Sequence, residues 1–174
     1  DDESDDICRK MSWMGINKDT YARSSDKGSY KWNYSVDYLG YKYNGNAIMA
    51  GIALAQLPYL DEENAYRRKL VDIYDKAFEG NKNITVISAP YKDECAYHIY
   101  ELIVPDREGL LAELAKHEIY GGVHYRDNTE YSMYKYAHGT CPKAHTISQS
   151  LITLPLHLYL TNEDIEMIAK LVNA

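Results

Sequence analysis

GYKYNGNAIMAGIALAQLPYL, residues 40 to 60, holds a turn, a cap and then a helix without a polar face. From Asn46 onward Ile48, Met49, Ile52, Leu54, Leu57 and Leu60 alternate with alanines, and Gln56 is nearly the sole polar residue. A helix apolar on every side needs cover on every side. Ahead of it, Tyr43-Asn44-Gly45-Asn46 reads as a turn that delivers Asn46 as N-cap. Lys42 stands just before the helix start, where end N–H groups and the helix dipole already favour an anion. That pairing describes a seat for a phosphate group. It equally describes a capped core helix preceded by a surface lysine, and the spacing alone leaves both readings open.

Working outward, the chain is long enough, at 174 residues, for one ordinary domain or for a small domain joined to part of another. A net charge of -7 argues against a nucleic-acid or anionic-membrane surface, because both require a basic field. The partners expected are small molecules or proteins. Cys8, Cys95 and Cys141 are odd in number and scattered, which suits a reducing, cytoplasmic compartment better than a disulfide framework. In that setting the Asn33-Tyr34-Ser35 and Asn83-Ile84-Thr85 triplets read as chance matches to a glycosylation site. The opening DDESDD has neither the basic nor the apolar region of a signal peptide, and the apolar run ending near Leu60 is too short to span a bilayer. Eighteen tyrosines against one phenylalanine favour half-buried surfaces that keep a hydroxyl for hydrogen bonding.

On the N-terminal side, Asp5 to Met14 reads as a short helix with acids at its head and Gly15 at its end. Asn17 to Asp37 follows neither regular period and is expected to be an irregular, aromatic-rich loop containing Tyr21, Tyr30, Trp32 and Tyr34. On the C-terminal side, Pro58 marks a break. Asp61 is expected to cap an amphipathic helix running to Glu79, with Tyr66, Leu70, Ile73, Tyr74 and Phe78 on its buried face. Strands are expected at Ile84–Ser88, Tyr97–Val104, Gly122–Tyr125 and Leu151–Leu154. Asp106 caps a helix carrying Leu110, Leu111 and Leu114. Helical turns follow at Tyr131–Tyr136 and Lys143–Ser148, and a capping box at Thr161 to Asp164 opens a last helix to Val172. The fold class expected is α/β, with a small α+β domain at 61–174, its sheet covered by helices on one face. Residues 1–60 would be the incomplete end of a larger domain, and the two helices on either side of Pro58 a long linking pair.

His138-x-x-Cys141-x-x-x-His145 and Cys95-x-x-His98 hold metal-ligating residue types but no clean four-ligand set, and the turn residues around Pro142 account for the former without metal. There is no G-x-S-x-G elbow, no G-x-G-x-x-G and no Walker sequence. The chemistry the residues favour is therefore binding. Gly121-Gly122-Val123-His124-Tyr125-Arg126-Asp127-Asn128 is a glycine-flexed strand end crowded with polar groups, suited to a polyhydroxylated or phosphorylated ligand, or simply a strand leaving into a polar loop.

At these residues the chain resembles the C-terminal part of the PLP-dependent sugar-nucleotide aminotransferases of the DegT/DnrJ group. Gly40 to Leu57 resembles the family's G-Y-N-Y-R-x-x-x-x-x-A-A-x-x-x-x-Q-L stretch. Asp1 to Ile16 is similar to the segment in which acids and a helix lead to a glycine, here from Arg9 to Gly15. Gly122-Val123-His124-Tyr125 resembles its glycine-led His-Tyr motif, and Leu154-Pro155-Leu156 with Leu160-Thr161 its L-P-L-x-x-x-L-T ending.

The resemblance implies a homodimeric enzyme in which pyridoxal 5'-phosphate serves as electron sink while an amino group moves from glutamate to a nucleotide-linked keto-sugar. Lys42 occupies the place of an asparagine that reaches the cofactor phosphate of the neighbouring subunit, and Asn44 the place of an arginine. His124 and Tyr125 would face the substrate, and Tyr30 and Trp32 would belong to a loop over the nucleotide. The S-x-x-K segment with the Schiff-base lysine, and the acid that pairs with the pyridine nitrogen, have no counterpart between Asp1 and Ala174. The chain by itself is therefore expected not to transaminate. The alternative is a non-catalytic sugar-nucleotide-binding or dimerisation module that keeps the shape without the cofactor.

Overall fold

The computed structural model describes residues 1–17, 35–43, 45–89 and 91–174, the side chain of Asp93 excepted. The chain divides into two units, Asp1–Pro58 and Tyr59–Ala174.

In the first unit, helix α1 spans Asp2–Ser12. It begins earlier than its hydrophobic spacing suggests because Asp1 caps it, accepting from the Ser4 N–H at 2.8 Å. Asp2, Glu3 and Asp5 fill the first turn and Arg9 and Lys10 the last, in the sense the macrodipole favours. Asp5 pairs with Arg9 at 2.7 Å and Asp6 with Lys10 at 2.5 Å along the exposed face. The helix stops at Met14 and Gly15, both left-handed with φ of 61° and 75°. Beyond this turn the chain pairs with residues 36–43. Tyr41 donates to the Met11 carbonyl at 2.9 Å, Met14 to that of Tyr41 at 3.1 Å, and Tyr43 to that of Ser12 at 3.0 Å. Single bridges join Trp13 to Lys42 and Ile16 to Val36. Helix α2, Ala47–Gln56, follows with Asn46 as its cap, and a 3-10 turn at Leu57–Tyr59 holds Pro58.

No residue of α2 is buried. Ile48 is 77 % exposed and Leu54 70 % exposed, with Met49, Ile52 and Leu57 also open. Among the described residues, the cover that an all-apolar helix requires is not supplied to α2.

The second unit opens with α3, Leu60–Phe78. Its expected cap is corrected: Tyr59 is the boundary residue without a side-chain bond, and Asp61, Glu62 and Glu63 lie inside the first turn. The preceding 3-10 turn runs straight into α3, so no chain reversal creates a place for a capping side chain. Leu70, Val71, Tyr74 and Phe78 form the buried face.

Strands β1 (Thr85–Val86), β2 (Tyr100–Ile103) and β3 (Leu151–Leu154) form an antiparallel sheet in that order. Both β1 and β2 are shorter than their apolar runs. Tyr97 has a left-handed φ of 46°, so the extended backbone of β2 begins only at Tyr100. Helix α4, Arg107–Lys116, is capped by Asp106, and α5 covers Pro142–Ser150. Between them, the segment expected as a strand from Gly122 contributes one antiparallel bridge to Thr153, and Ser132–Ala137 forms 3-10 turns. Helix α6, Asn162–Val172, starts with the anticipated capping box of Thr161 and Asp164.

Leu102, Ile152 and Leu154 from the sheet meet Leu70 and Tyr74 of α3, Leu114 of α4 and Ile165 and Ile168 of α6 in one buried core. Tyr74 is stacked on Tyr100 at 4.6 Å and donates its hydroxyl to the Pro155 carbonyl at 3.0 Å. Burial pushes the hydroxyls of both tyrosines far above their usual range. Tyr100, Leu102, Ile152 and Leu154 point into this core, so by alternation Glu101 and Thr153 project from the opposite face of the sheet. Among the described residues no helix is long and apolar enough to cross a membrane.

Candidate functional site

Two groups of polar residues were expected to carry function, and they fall in different units. Lys42 belongs to the first. The close pairing that presents it depends on Gly40, where a Cβ would lie 2.3 Å from the Gly15 nitrogen and 2.6 Å from the Met11 carbonyl oxygen. Lys42 is exposed, and its ammonium rests over the Trp13 ring, 4.9 Å from the centroid. The sequence reading missed Trp13, because only the chain reversal after α1 brings it beside Lys42. The indole Nε1 of Trp13 is buried and, among the described residues, has no hydrogen-bond partner. Four residues beyond Lys42, the Asn46 side chain accepts from the Met49 N–H at 3.0 Å. An exposed cation thus stands ahead of a capped helix start. Asn44, Tyr30 and Trp32 lie outside the described residues, as does the Tyr21 to Tyr34 loop.

In the second unit, His124 and Tyr125 are adjacent and packed edge to face at 4.9 Å, with the peptide between them cis. Tyr125 is 72 % exposed. The strand segment reaches the sheet at Gly122, which exchanges two backbone hydrogen bonds with Thr153, at 2.9 and 2.8 Å. A Cβ at Gly122 would lie 2.9 Å from the His124 ring. Glycine there lets the imidazole fold back toward the sheet, where its Nδ1 meets the Thr153 hydroxyl at 2.9 Å.

Thr153 is buried and pairs in register with Glu101 across β2 and β3. Glu101 Oε1 is buried and without a partner among the described residues. Burial pushes the Glu101 carboxyl up, while His124 and His98 pull it part of the way back. The sequence reading missed both Glu101 and Thr153. A signal for Glu101 was present, since it is the lone charge in the apolar run Ile99 to Val104.

Alongside, Arg107, Val123, Arg126, Glu130, Ser148 and Gln149 line a recess of about 350 Å³. Both arginines are engaged. Arg107 binds the Ser148 carbonyl and Glu108, and Arg126 pairs with Glu130 at 2.8 Å. His145, a candidate metal ligand by spacing, instead lies 3.3 Å from Asp127 and 3.2 Å from Glu130. Among the described residues no group of three or more His, Cys, Asp or Glu side chains converges as a metal site would.

A model of the DegT/DnrJ/EryC1/StrS aminotransferase family matches residues 1–173. The chain belongs to this family. A curated relative in the family's range, an uncharacterized protein of Methanocaldococcus jannaschii, is 27 % identical over 94 % of this chain and 45 % of its own length. Spr1654 of Streptococcus pneumoniae, described as a sugar aminotransferase and solved in its PMP form, is 30 % identical with a TM-score of 0.81, over 99 % of this chain and 45 % of that one. The sugar aminotransferase CalS13 of Micromonospora echinospora is 26 % identical with a TM-score of 0.84, over 99 % and 45 %. The chain thus spans a little under half the length of these DegT/DnrJ/EryC1/StrS relatives.

Spr1654 has also been solved in a PLP form. The described residues of this chain fit one part of that cofactor. Lys42 forms no ion pair with a carboxylate among them; its exposed ammonium, shared only with an aromatic face, can turn to a phosphate oxygen.

Proposed function

We propose that this chain is the C-terminal part of a pyridoxal-phosphate-dependent, homodimeric aminotransferase that moves an amino group from glutamate to a nucleotide-linked keto-deoxysugar. The observation that carries the reading is α2, a capped helix whose apolar residues are exposed on all sides directly after Lys42. A soluble monomer rarely leaves such a patch open, and a larger cofactor-bearing body would cover it. The same exposure counts against a self-sufficient monomeric binding module; cover of α2 by a second copy of this chain would instead favour a dimerisation module. In this reading residues 1–60 end the large domain and 61–174 form the small one.

Lys42 holds the cofactor phosphate across the dimer as a point charge, in the place of the more usual asparagine. Asn44 is assigned to cofactor binding on the resemblance alone. His124 and Tyr125 face the substrate, with Tyr125 offering an exposed ring and hydroxyl and His124 a ring nitrogen not engaged by Thr153. Tyr30 and Trp32 are assigned to the nucleotide on the resemblance alone. Pyridoxal phosphate, when bound, supplies the electron sink for amino-group transfer. The chain's residues bind and orient, and the lysine that joins the cofactor covalently comes from outside residues 1–174.

The test joins this chain to the coding sequence directly upstream of Asp1. The expected product carries a Ser-x-x-Lys segment and transfers an amino group from glutamate to a nucleotide-linked keto-deoxysugar. An upstream sequence without such a lysine would overturn the proposal.

A further inference from the structure

His124 and Tyr125 sit on a segment held at both ends. Upstream, Gly122 is fixed to Thr153 by two backbone hydrogen bonds. Downstream, Arg126 alone separates Tyr125 from Asp127, which is buried. Asp127 opens the turn Asn128–Glu130, its Oδ1 accepting from the Thr129 N–H at 2.9 Å. Arg126 ties the turn internally by donating to Glu130 Oε2 at 2.8 Å. Helix α5 attaches this turn from outside. Gln149 Nε2 donates to Glu130 Oε1 at 3.3 Å, and one helical turn earlier the His145 imidazole faces both acids.

The His145 Nδ1 lies 3.3 Å from Asp127 Oδ2 and 3.2 Å from Glu130 Oε1. Asp127 Oδ2 is buried and makes no hydrogen bond among the described residues, so the imidazole edge is the polar group this oxygen meets. The Thr129 backbone N–H, then the Thr129 hydroxyl and His145, hold the Asp127 carboxyl below its usual range against the opposing effect of burial. The Glu130 carboxyl is paired with Arg126. Both acids are therefore ionised at neutral pH, and an ionised carboxylate offers only acceptors. A bare ring lone pair facing two of them would be repelled. This fixes the polarity of the contact: Nδ1 carries a proton whether the ring is neutral or charged.

We propose that His145 is a positioning residue: it shares its Nδ1–H between Asp127 and Glu130, and so anchors to α5 the turn that holds the downstream end of the His124–Tyr125 segment. The consequence for a ligand, that His124 and Tyr125 are presented to it in one place, rests on the function proposed above. The anchor itself does not, and it is measured without ligand. The assignment also accounts for His145 at a position where spacing alone suggested a metal ligand, since its Nδ1 is occupied by two carboxylates.

The experiment uses the full 174-residue chain, with long-range ¹H–¹⁵N correlation of the histidine rings at mildly alkaline pH and hydrogen exchange of the turn amides. His145 is expected in its Nδ1–H form rather than the Nε2–H form that neutral histidine ordinarily prefers. His145→Ala should speed exchange of the Thr129 and Glu130 amides about tenfold, the scale for losing a bond to charged groups, and leave those of Leu102 and Ile152 in the core unchanged. His145→Asn places an amide nitrogen where Nδ1 was and should restore protection of the turn; His145→Gln places it nearer the Nε2 position and should not. An Nε2–H ring in the wild-type chain, turn amides untouched by His145→Ala, or equal rescue by Asn and Gln would overturn the proposal. The tautomer needs no variant and stays decisive if a variant fails to fold. Failure of the longer protein to accept a nucleotide sugar would count against the proposed function and leave this result standing.

Discussion

At Gly40 a methyl group would have to occupy space already held by the Gly15 nitrogen and the Met11 carbonyl. These are backbone atoms that cannot turn aside as a side chain would. Gly40→Ala is expected to destabilise the first unit by more than about 1 kcal/mol, measured by urea denaturation; an unchanged midpoint would contradict the close pairing. The place of Lys42 ahead of a capped helix was legible in the sequence because a turn, a cap and an apolar run form a local pattern. Trp13, Thr153 and their pairings were not, because each partner is supplied by a chain reversal or by strand register that no local pattern encodes. On the proposed function, Lys42→Ala in the longer protein is expected to weaken retention of pyridoxal phosphate, read by cofactor loss on dialysis. Unchanged affinity would remove Lys42 from the phosphate site.

The start of α6 was read correctly from its Thr161 capping box. Thr161 accepts from the Asp164 N–H at 3.2 Å, and Asp164 accepts from the Thr161 N–H at 2.8 Å. Thr161→Ala should cost about 1 kcal/mol, measured by denaturation at neutral pH. The Thr161 backbone N–H, then its hydroxyl, hold the Asp164 carboxyl below its usual range. A depressed folded-state value means that this contribution is present above the ordinary carboxylate range and is lost as pH falls through the depressed value. The gap between Thr161→Ala and the wild type should therefore narrow in acid; a gap that widens would contradict the box. The start of α3 was misplaced at Asp61 for a physical reason. A helix entered from a 3-10 turn carries no distinct cap, and an acid in its first turn resembles one in sequence. Strand ends were overextended where a left-handed residue, Tyr97, interrupts an otherwise apolar run.

For the whole molecule, the division of labour between the units follows from where apolar surface is covered. The second unit has a closed core around Leu70, Tyr74, Leu102, Ile152 and Ile165. Leu70→Ala should lower its stability by about 2–5 kcal/mol, the range for a fully buried leucine. The first unit instead ends in α2, exposed throughout. Composition alone indicated that α2 required cover, but whether the cover came from this chain could be seen only in the structure. On the proposed function, this chain contributes binding groups to an aminotransferase site whose covalent lysine lies elsewhere. The most direct measurement is borohydride reduction of the 174-residue chain after incubation with pyridoxal phosphate, followed by peptide mass spectrometry. No single lysine is expected to take up the pyridoxyl group specifically; stoichiometric labelling of one lysine within this chain would contradict the proposed function.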